Sequence, residues 1–282
     1  MKRLVTICLL CCSTLVGAQM VTITKNSILE KVPTQQAFHP RFSADGASLL
    51  LTSENYKGLS HYNLKSGLLT TISNEQGAGY QPSFSVKENK VLYVTSSRKN
   101  GRLYKTKKQY SMQTAEHKVL SAPSRTVKVE KAMLQEQKFT VSLEDLKIVV
   151  YRGTERSVLS PIEGVTNYLW PSLSPDKTKI LFTAVTKGTY VCDLSGTVLA
   201  KLGKLNAPVW CGNDKVVGMQ ETDNGESILQ SNIVLMDVDG QKSQILSDTN
   251  TIALYPAASL DGKHVAYTTA KGALHLLEIE TK

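Results

Sequence analysis

Residues that could perform acid–base or nucleophilic chemistry are sparse in this chain of 282 residues. The sequence contains no Gly-x-Ser-x-Gly nucleophile motif, no His-Glu-x-x-His zinc motif, no phosphate-binding loop and no pair of Cys-x-x-Cys motifs. The five histidines are scattered along the chain, at His39, His61, His117, His264 and His275. We therefore predict no catalytic residue, no metal site and no cofactor, with the histidines either solvated or packed in the core.

Three single aspartates occupy similar turns: Asp45 in Ser-Ala-Asp-Gly, Asp176 in Ser-Pro-Asp-Lys and Asp261 in Ser-Leu-Asp-Gly. A calcium loop combines several carboxylates within about a dozen residues, whereas each of these turns has only one. Aspartate side chains in turns accept hydrogen bonds from nearby backbone N–H groups. We therefore predict a structural role for all three.

Positive charge is concentrated in one part of the chain. Between Val86 and Lys131 there are twelve basic and three acidic residues, a net charge of +9 that equals the charge of the whole chain. The centre of this segment predicts a long hairpin with a solvated tip. Its basic residues are Arg98, Lys99, Arg102, Lys105, Lys107 and Lys108. The patch either attracts an acidic partner, such as an anionic glycan, lipid head groups or an acidic protein face, or only keeps the hairpin soluble.

The elements that position these residues follow from a repeat. Residues 170–177 (Trp-Pro-Ser-Leu-Ser-Pro-Asp-Lys) predict a short strand and a type I turn with Pro175 and Asp176 in the centre, before an apolar strand. Related segments begin at Pro40, Pro82 and Pro256, and a more divergent one at Pro208.

The spacing of these copies predicts the architecture. The leading prolines are 42, 89, 37 and 48 residues apart, and the value of 89 implies a hidden unit near residues 138–151. Six units of roughly 40 residues, each divisible into four strands by hairpin turns, are typical of propeller blades. We predict an all-β, six-bladed β-propeller of four-stranded antiparallel blades, formed by residues 19–282 as a single domain. The last unit lacks a strand, and residues 20–32 would supply it and close the ring.

The Ser-Pro-Asp-Lys, Ser-Ala-Asp-Gly and Ser-Leu-Asp-Gly segments, each after a Pro and before an apolar strand, resemble the repeat of TolB-like propellers (the PD40 type, a WD40-like repeat). The same repeat occurs in the propeller domains of dipeptidyl-peptidase-type proteases. The resemblance implies a propeller fold over nearly the whole of residues 19–282. TolB carries an additional α/β domain before its propeller, for which this sequence has no room, so a Tol–Pal role does not follow from the resemblance.

The first 18 residues are typical of a secretory signal peptide. Lys2 and Arg3 precede an apolar run over residues 4–16, and small residues end at Ala18. That run is shorter than the about 20 residues of a membrane helix, and the sequence predicts no transmembrane segment. Cleavage after Ala18 predicts a periplasmic or secreted protein. Lipoprotein acylation at Cys11 or Cys12 is the alternative, although neither cysteine follows a small residue.

Cysteines Cys192 and Cys211 remain after this cleavage. In an exported protein two cysteines form a disulfide or stay as buried thiols, and the spacing does not decide between them.

Equivalent positions beside the leading prolines would surround one end of the central channel. The candidate ligand-binding residues there are His39, Arg41, Tyr80, Gln81, Tyr168, Trp170 and Tyr255. Aromatic and polar side chains at a common opening suit a peptide or sugar, whereas the alternative is that these rings only fill space between blades.

The sequence therefore predicts a non-catalytic, monomeric binding scaffold for a protein, peptide or glycan of the cell envelope. Nucleic acid is excluded as a partner by the predicted export. The competing hypothesis is an enzyme that processes an extracellular polysaccharide or peptide, with His39, Arg41, Trp170 and Tyr255 around the channel. An enzyme should show a deep pocket in which a histidine and a carboxylate converge with shifted pKa values.

Overall fold

A computed structural model describes residues 19–85, 89–125 and 139–282. Its strands form six separate antiparallel sheets, which are the blades of a six-bladed β-propeller. The helical structure within these ranges is one short 3-10 helix, η1 (Thr34–Gln36). The predicted fold class is confirmed.

The blades follow one another along the chain. Blade 1 contains β2 (Phe38–Phe42), β3 (Ser48–Thr52), β4 (Leu59–Asn63) and β5 (Leu68–Ser73). Blade 2 contains β6 (Ser83–Phe84), β7 (Lys90–Lys99), β8 (Arg102–Ser111) and β9 (His117–Val119). Blade 3 contains β10 (Thr140–Glu144), β11 (Lys147–Arg152) and β12 (Glu155–Leu159).

Blade 4 contains β13 (Tyr168–Leu173), β14 (Lys179–Ala184), β15 (Gly188–Asp193) and β16 (Val198–Gly203). Blade 5 contains β17 (Asn206–Cys211), β18 (Lys215–Asp223), β19 (Ile228–Asp237) and β20 (Ser243–Ile245). Blade 6 contains β21 (Ala253–Ala258), β22 (His264–Thr269), β23 (Leu274–Thr281) and, as its outer strand, β1 (Val21–Ile28).

The hidden unit predicted from the proline spacing is blade 3. Its strands β10 and β11 fall where the sequence places them, although Lys138 lies outside the described residues. Blade 3 has three strands in the part of the chain that the structure describes, rather than the predicted four.

The ring is closed by β1, as predicted. It pairs antiparallel with β23, from Val21 opposite Thr281 to Ile28 opposite His275. Gln244 of β20 then ties this strand to blade 5, because its Oε1 accepts hydrogen bonds from the backbone N–H groups of Met20 and Val21. The outer edge of β23 is therefore covered by a strand from the other end of the described chain.

Central strands are apolar on both sides because blades stack face to face. Leu49, Leu50 and Leu51 of β3 are all buried, and they belong to core clusters on opposite sides of the blade. Cys192 and Cys211 are free, buried thiols in different clusters. Because the two are not bonded to each other, the thiol alternative holds and the disulfide does not. Burial raises the pKa of each thiol to about 12.

The Ser-x-Asp turns confirm the structural role predicted for the aspartates. In blade 4 the buried Ser174 donates a hydrogen bond from Oγ to Asp176 Oδ1 at 2.6 Å and accepts one from the Lys179 N–H at 3.0 Å. Asp176 Oδ1 also accepts a hydrogen bond from the Thr178 N–H. The Ser174 hydroxyl is the largest influence that lowers the pKa of Asp176.

The same arrangement recurs in blades 1 and 6. Ser43 and Ser259 each donate to the turn aspartate at 2.6 Å, Asp45 in one case and Asp261 in the other. Each turn ends on a residue with left-handed backbone, which is Gly46 or Gly262 in these blades but Lys177 in blade 4, with φ of 60°.

Replacing Lys177 with glycine should therefore stabilise the protein. A left-handed conformation costs an L-residue roughly 1–2 kcal/mol, and the added freedom of glycine in the unfolded chain returns about 0.5–1 kcal/mol. We expect Lys177→Gly to raise the free energy of unfolding by about 0.5–1 kcal/mol in urea denaturation. The reverse change in the equivalent turn, Gly262→Lys, should lower it; equal stabilities would contradict this account.

The two ends of the ring differ. Antiparallel pairing places the turns between first and second strands at one end, and the starts of the inner strands together with the second-to-third-strand turns at the other. At the first end, called the closed face, neighbouring turns touch: the Asp176 N–H donates to Asn213 Oδ1 at 2.8 Å, and a Cβ on Gly262 would lie 3.3 Å from the Gly212 nitrogen. The opposite end is called the mouth face. Within the described ranges no helix is long and apolar enough to cross a membrane.

Candidate binding site at the mouth face

Each inner strand with a leading proline has an unusual backbone just before it. The preceding residue has positive φ in five blades, at His39, Gln81, Trp170, Ala207 and Tyr255, with φ of 46–53°. Strand pairing is interrupted at this point in blades 1, 4, 5 and 6. Residues before proline normally avoid helical backbone regions. The repeated irregularity therefore sets the first residues of the inner strands apart from the regular sheet.

Four aromatic side chains meet at the mouth face, and we call them the aromatic cluster: His39, Tyr56, Tyr80 and Tyr255. The His39 ring lies 4.3 Å from the Tyr56 ring, nearly parallel to it, and 3.9 Å from the Tyr255 ring. Tyr80 meets Tyr56 edge to face at 5.3 Å. The cluster joins blades 6, 1 and 2, and Tyr80 remains 49% exposed, so one end of it is open to a ligand.

Arg41 lies beside this cluster. It retains solvent-exposed surface, yet the protein around it lowers its pKa by desolvation, while the hydroxyl groups of Tyr56 and Tyr80 act in the opposite direction. Its guanidinium is therefore a partly desolvated but solvent-accessible charge beside the tyrosines. Arg41 stays charged at neutral pH because an arginine pKa is far above it.

His39 is held as a neutral ring. Burial lowers its pKa to about 4, with Arg41 contributing in the same direction and the Glu54 carbonyl, 3.3 Å from Nε2, acting against it. With rings on both sides, the imidazole serves as a stacking surface more readily than as a proton carrier.

The low pKa of His39 predicts a pH effect on stability. In the unfolded chain its pKa is about 6.5, so protons bind more strongly to the unfolded state. The contribution to stability is complete above about pH 6.5 and is lost as the pH falls towards 4. We expect wild type to lose about 1–2 kcal/mol more than His39→Gln over this interval, allowing for solvent screening of a partly exposed ring. Urea titrations at several pH values test this, and parallel pH profiles for the two proteins would contradict it.

Two carboxylates, those of Glu54 and Glu221, lie near Tyr255 of the cluster. Burial raises the pKa of Tyr255, and the charges of Glu54 and Glu221 raise it further. Glu221 Oε1 accepts a hydrogen bond from Asn206 Nδ2 at 2.6 Å, while its Oε2 is buried without a partner. In the described part of the chain, no three His, Cys, Asp or Glu side chains are placed to hold a metal ion.

The remaining predicted mouth residues do not join the cluster. Tyr168 was expected at the mouth, but its side chain is fully buried: its hydroxyl lies against the backbone of Ile162 and Val165, and its ring packs on Phe182. It fills space between blades, which corrects the prediction. Trp170 is 40% exposed and Gln81 is exposed, each at the equivalent position of its own blade.

The basic segment forms the predicted long hairpin, β7–β8. Its turn, Asn100-Gly101, has positive φ at both residues, as a type I′ turn requires. Lys105 lies over the Tyr80 ring, 5.9 Å from its centroid, so the hairpin is joined to the aromatic cluster. Lys108 is paired with Glu75 at 2.7 Å and is therefore not available to a partner, unlike the exposed Arg98, Lys99 and Arg102.

A shallow groove adjoins the cluster between blades 1 and 6. It has a volume of about 500 Å³ and is lined by Thr34, Phe38, Glu54, Asn55 and Lys271, among others. It opens on the mouth face beside the Glu54 carbonyl that His39 contacts.

Sequence reasoning missed Tyr56, which touches His39 and Tyr80 at the centre of the cluster. It lies on the β3–β4 turn, in Ser-Glu-Asn-Tyr-Lys-Gly. The available signal was topological: turns between second and third strands share a face with the starts of the inner strands.

No protein-family model matches the sequence, and no curated protein matches it either. Solved structures do resemble it. An oligogalacturonate lyase in complex with manganese aligns over 94% of this chain and 96% of its own, with TM-score 0.51 and 10% identity. The Cps50 (Swd1) β-propeller domain of Myceliophteria thermophila aligns over 92% and 100%, with TM-score 0.50 and 8% identity.

TolB from Acinetobacter baumannii aligns over 86% of this chain at 15% identity, with a TM-score of 0.36, and the chain spans about half of TolB (54%). The likenesses to the lyase and to the Cps50 domain show the fold alone. The propeller that the TolB-like repeat implied is confirmed, and the repeat assignment itself is supported by no family model.

Proposed function

We propose that this protein is a non-catalytic binding module of the cell envelope that holds a protein, peptide or glycan ligand at its mouth face. The aromatic cluster is the observation that carries the proposal. Rings from three blades meet there, and one of them, Tyr80, is half exposed beside the channel and next to a basic hairpin. Sites for small ligands and short segments combine such aromatic surfaces with a few polar groups.

The chemistry of His39 favours binding over catalysis. A general acid or base needs a pKa near the working pH and access to the reacting atoms. The His39 pKa of about 4 leaves it neutral at pH 7, and its ring packs against two tyrosine rings, Tyr56 and Tyr255.

The predicted signal peptide supports a role outside the cytoplasm. Residues 1–18 lie outside the described part of the chain, so export stays a prediction. Amino-terminal sequencing of protein recovered from periplasm and medium tests it: a mature chain beginning at Gln19 is expected.

Binding is tested with purified residues 19–282 on peptide and glycan arrays. The mouth variant Tyr80→Ala should lose the ligands that wild type retains, because it removes the exposed ring of the cluster. The matched control is Val119→Ala, which truncates another exposed residue of the same blade, 61% exposed on the outer strand. Equal binding by Tyr80→Ala and wild type would refute the proposed site.

An enzyme acting on an extracellular polysaccharide or peptide is the second candidate. One observation favours it: a histidine and an arginine, two side chains common in active sites, lie side by side at the mouth face. Ligands found on the arrays would be incubated with the protein and examined by mass spectrometry. Cleavage that His39→Gln abolishes would establish the enzyme and overturn the non-catalytic proposal.

A further inference from the structure

Two hairpins extend well beyond the mouth face. Strands β7 and β8 of blade 2 have 10 residues each, and β18 and β19 of blade 5 have 9 and 10. The corresponding strands of blades 1, 3 and 4 have 5 or 6. Val91, Ile180 and Val216 occupy the same place in blades 2, 4 and 5, near the closed-face end of the second strand, where each pairs with the inner strand. When the blades are aligned on these residues, the extra residues of blades 2 and 5 fall at the mouth end. About four extra residues make each hairpin project roughly 13 Å.

All charged residues of the blade 2 hairpin are basic. No acidic residue occurs between Lys90 and Ser111, and its projecting end carries the exposed Arg98, Lys99 and Arg102. None of these three forms an ion pair with the residues that the structure describes. We call this end the basic tip.

The blade 5 hairpin has the opposite sign. Residues 220–231 contain three acidic side chains, Glu221, Asp223 and Glu226, and no basic one. Asp223 and Glu226 are exposed and, in the described ranges, form no ion pair. We call this end the acidic tip. Glu221, at its base, lies on the inner side, hydrogen-bonded to the first residue of the inner strand, Asn206.

The two tips lie across the opening from each other. In a ring of six blades, blades 2 and 5 are three positions apart and hence opposite. The remaining turns of this face are short, and their charges are mixed. They carry Glu54 and Lys57 in blade 1, Arg152 and Glu155 in blade 3, Lys187 in blade 4 and Lys271 in blade 6. The field across the mouth therefore runs from one tip to the other, with the aromatic cluster in between.

We propose that the mouth face binds an extended peptide segment with segregated charges, its acidic residues on the basic tip, its basic residues on the acidic tip, and its centre on the aromatic cluster. The inference rests on the proposed binding function and adds the class and orientation of the ligand. Arginine pairs with carboxylates through two parallel hydrogen bonds, which suits Arg98 and Arg102 to Asp or Glu side chains.

The acidic tip decides between a peptide and an anionic glycan. A polyanionic glycan carries the same charge along its whole length, so Glu221, Asp223 and Glu226 would repel the end that crosses to blade 5. A peptide can carry both signs. Complementary charges at a rim act mainly on orientation, association rate and salt dependence.

The test compares four synthetic peptides with one aromatic-containing centre: acidic at one end and basic at the other, the same composition with charges alternating, all acidic, and all basic. Binding to residues 19–282 is measured by fluorescence anisotropy at low and high salt. Wild type should prefer the segregated peptide to the alternating one by roughly tenfold at low salt, with the preference reduced at high salt.

Charge reversal gives the more specific prediction. Arg98→Glu with Arg102→Glu should shift the preference to the all-basic peptide, and Asp223→Lys with Glu226→Lys to the all-acidic one. The fourfold variant should regain the preference for segregated charges. The control Lys65→Glu with Lys177→Glu, at exposed turns of the closed face, should change nothing.

Four outcomes overturn the inference. A wild-type preference for the all-acidic peptide would mean that the basic tip acts alone. Self-association in sedimentation velocity, lost in Arg98→Glu with Arg102→Glu, would assign the tips to a second copy of this chain. Charge-independent binding that still requires Tyr80 would refute the peptide polarity but keep the proposed function, whereas Tyr80-independent binding would refute both.

Discussion

Removing β1 is expected to destabilise the propeller strongly and to make its unfolding less cooperative. A chain that starts at residue 30 lacks the strand that pairs with β23 along its whole length. It also loses Val21, which is 1% exposed in the core of blades 5 and 6. Burial of one such side chain contributes about 1.5–3 kcal/mol, and the loss of the hydrogen-bonded ladder adds to it. The total is a large share of the about 5–15 kcal/mol by which domains are stable.

Truncation also leaves β23 as an exposed edge, which favours aggregation. We therefore expect a lower-temperature, broader unfolding transition by circular dichroism and oligomers in size-exclusion chromatography. A synthetic peptide of residues 19–30 should restore the sharp transition, because it can replace the strand. An unchanged midpoint after truncation would show that the ring does not depend on this closure.

Point variants test how much of the stability contributed by β1 comes from the packing of its buried side chain. Val21→Asp puts a charge into the core and should destabilise the protein by more than about 3 kcal/mol. Ile28→Asp makes a closely matched change at a position of the same strand that is 53% exposed, and should cost less than about 1 kcal/mol. Similar losses for both would contradict the register in which Val21 faces the core.

The blade count could be predicted from the sequence because turn chemistry is local. Ser174, Asp176 and the backbone around them satisfy one another within six residues, so the pattern remains visible wherever the turn occurs. Blade 3 carries no such turn and was found only by spacing. Ring closure followed from the missing strand of the last unit.

The site could be predicted only in part, because it depends on contacts between distant blades. His39 and Tyr255 are more than 200 positions apart in sequence, but their ring centroids lie 3.9 Å apart. Tyr168 lies three residues before its proline, whereas His39 and Tyr255 lie directly before theirs, and its side chain turns into the core. The left-handed backbone before each proline is contrary to local preference, so only the folded ring reveals it.

The charged features of the mouth face could also be predicted only in part. The basic hairpin was evident from composition, but the acidic hairpin was not, since three acidic residues in a stretch of ordinary sequence attract no notice. The basic and acidic hairpins form a pair of opposite charges across the mouth only because the ring places them on opposite blades. The pairing of Lys108 with Glu75 also required coordinates.

Gly79→Ala should both destabilise the protein and disrupt the aromatic cluster. A Cβ at Gly79 would overlap Thr52 Oγ1 and Cβ and lie 2.7 Å from its Cγ2. Thr52 is buried and cannot turn away easily, because its hydroxyl donates a 2.7 Å hydrogen bond to the Gly58 carbonyl and β-branched side chains are stiff. Overpacking of this kind costs about 1–3 kcal/mol, and we expect about 2–3 kcal/mol here.

The effect should reach the mouth because the Gly79 N–H donates to the Tyr56 carbonyl at 3.2 Å. Moving Gly79 shifts Tyr56 and Tyr80 relative to each other, so near-ultraviolet circular dichroism of the tyrosines should weaken and ligand affinity should fall. The comparison variant Gly101→Ala has open space around the added atom. Its free energy of unfolding should fall by only about 1 kcal/mol, the cost of a left-handed backbone at a residue other than glycine.

A double-mutant cycle with Thr52→Gly isolates the clash, because that change removes the three atoms nearest to the new methyl group. Gly79→Ala should cost much less in the Thr52→Gly background than in wild type. If its cost is the same in both, the two residues are not in contact and the cluster is positioned by something other than this approach of blade 2 to blade 1.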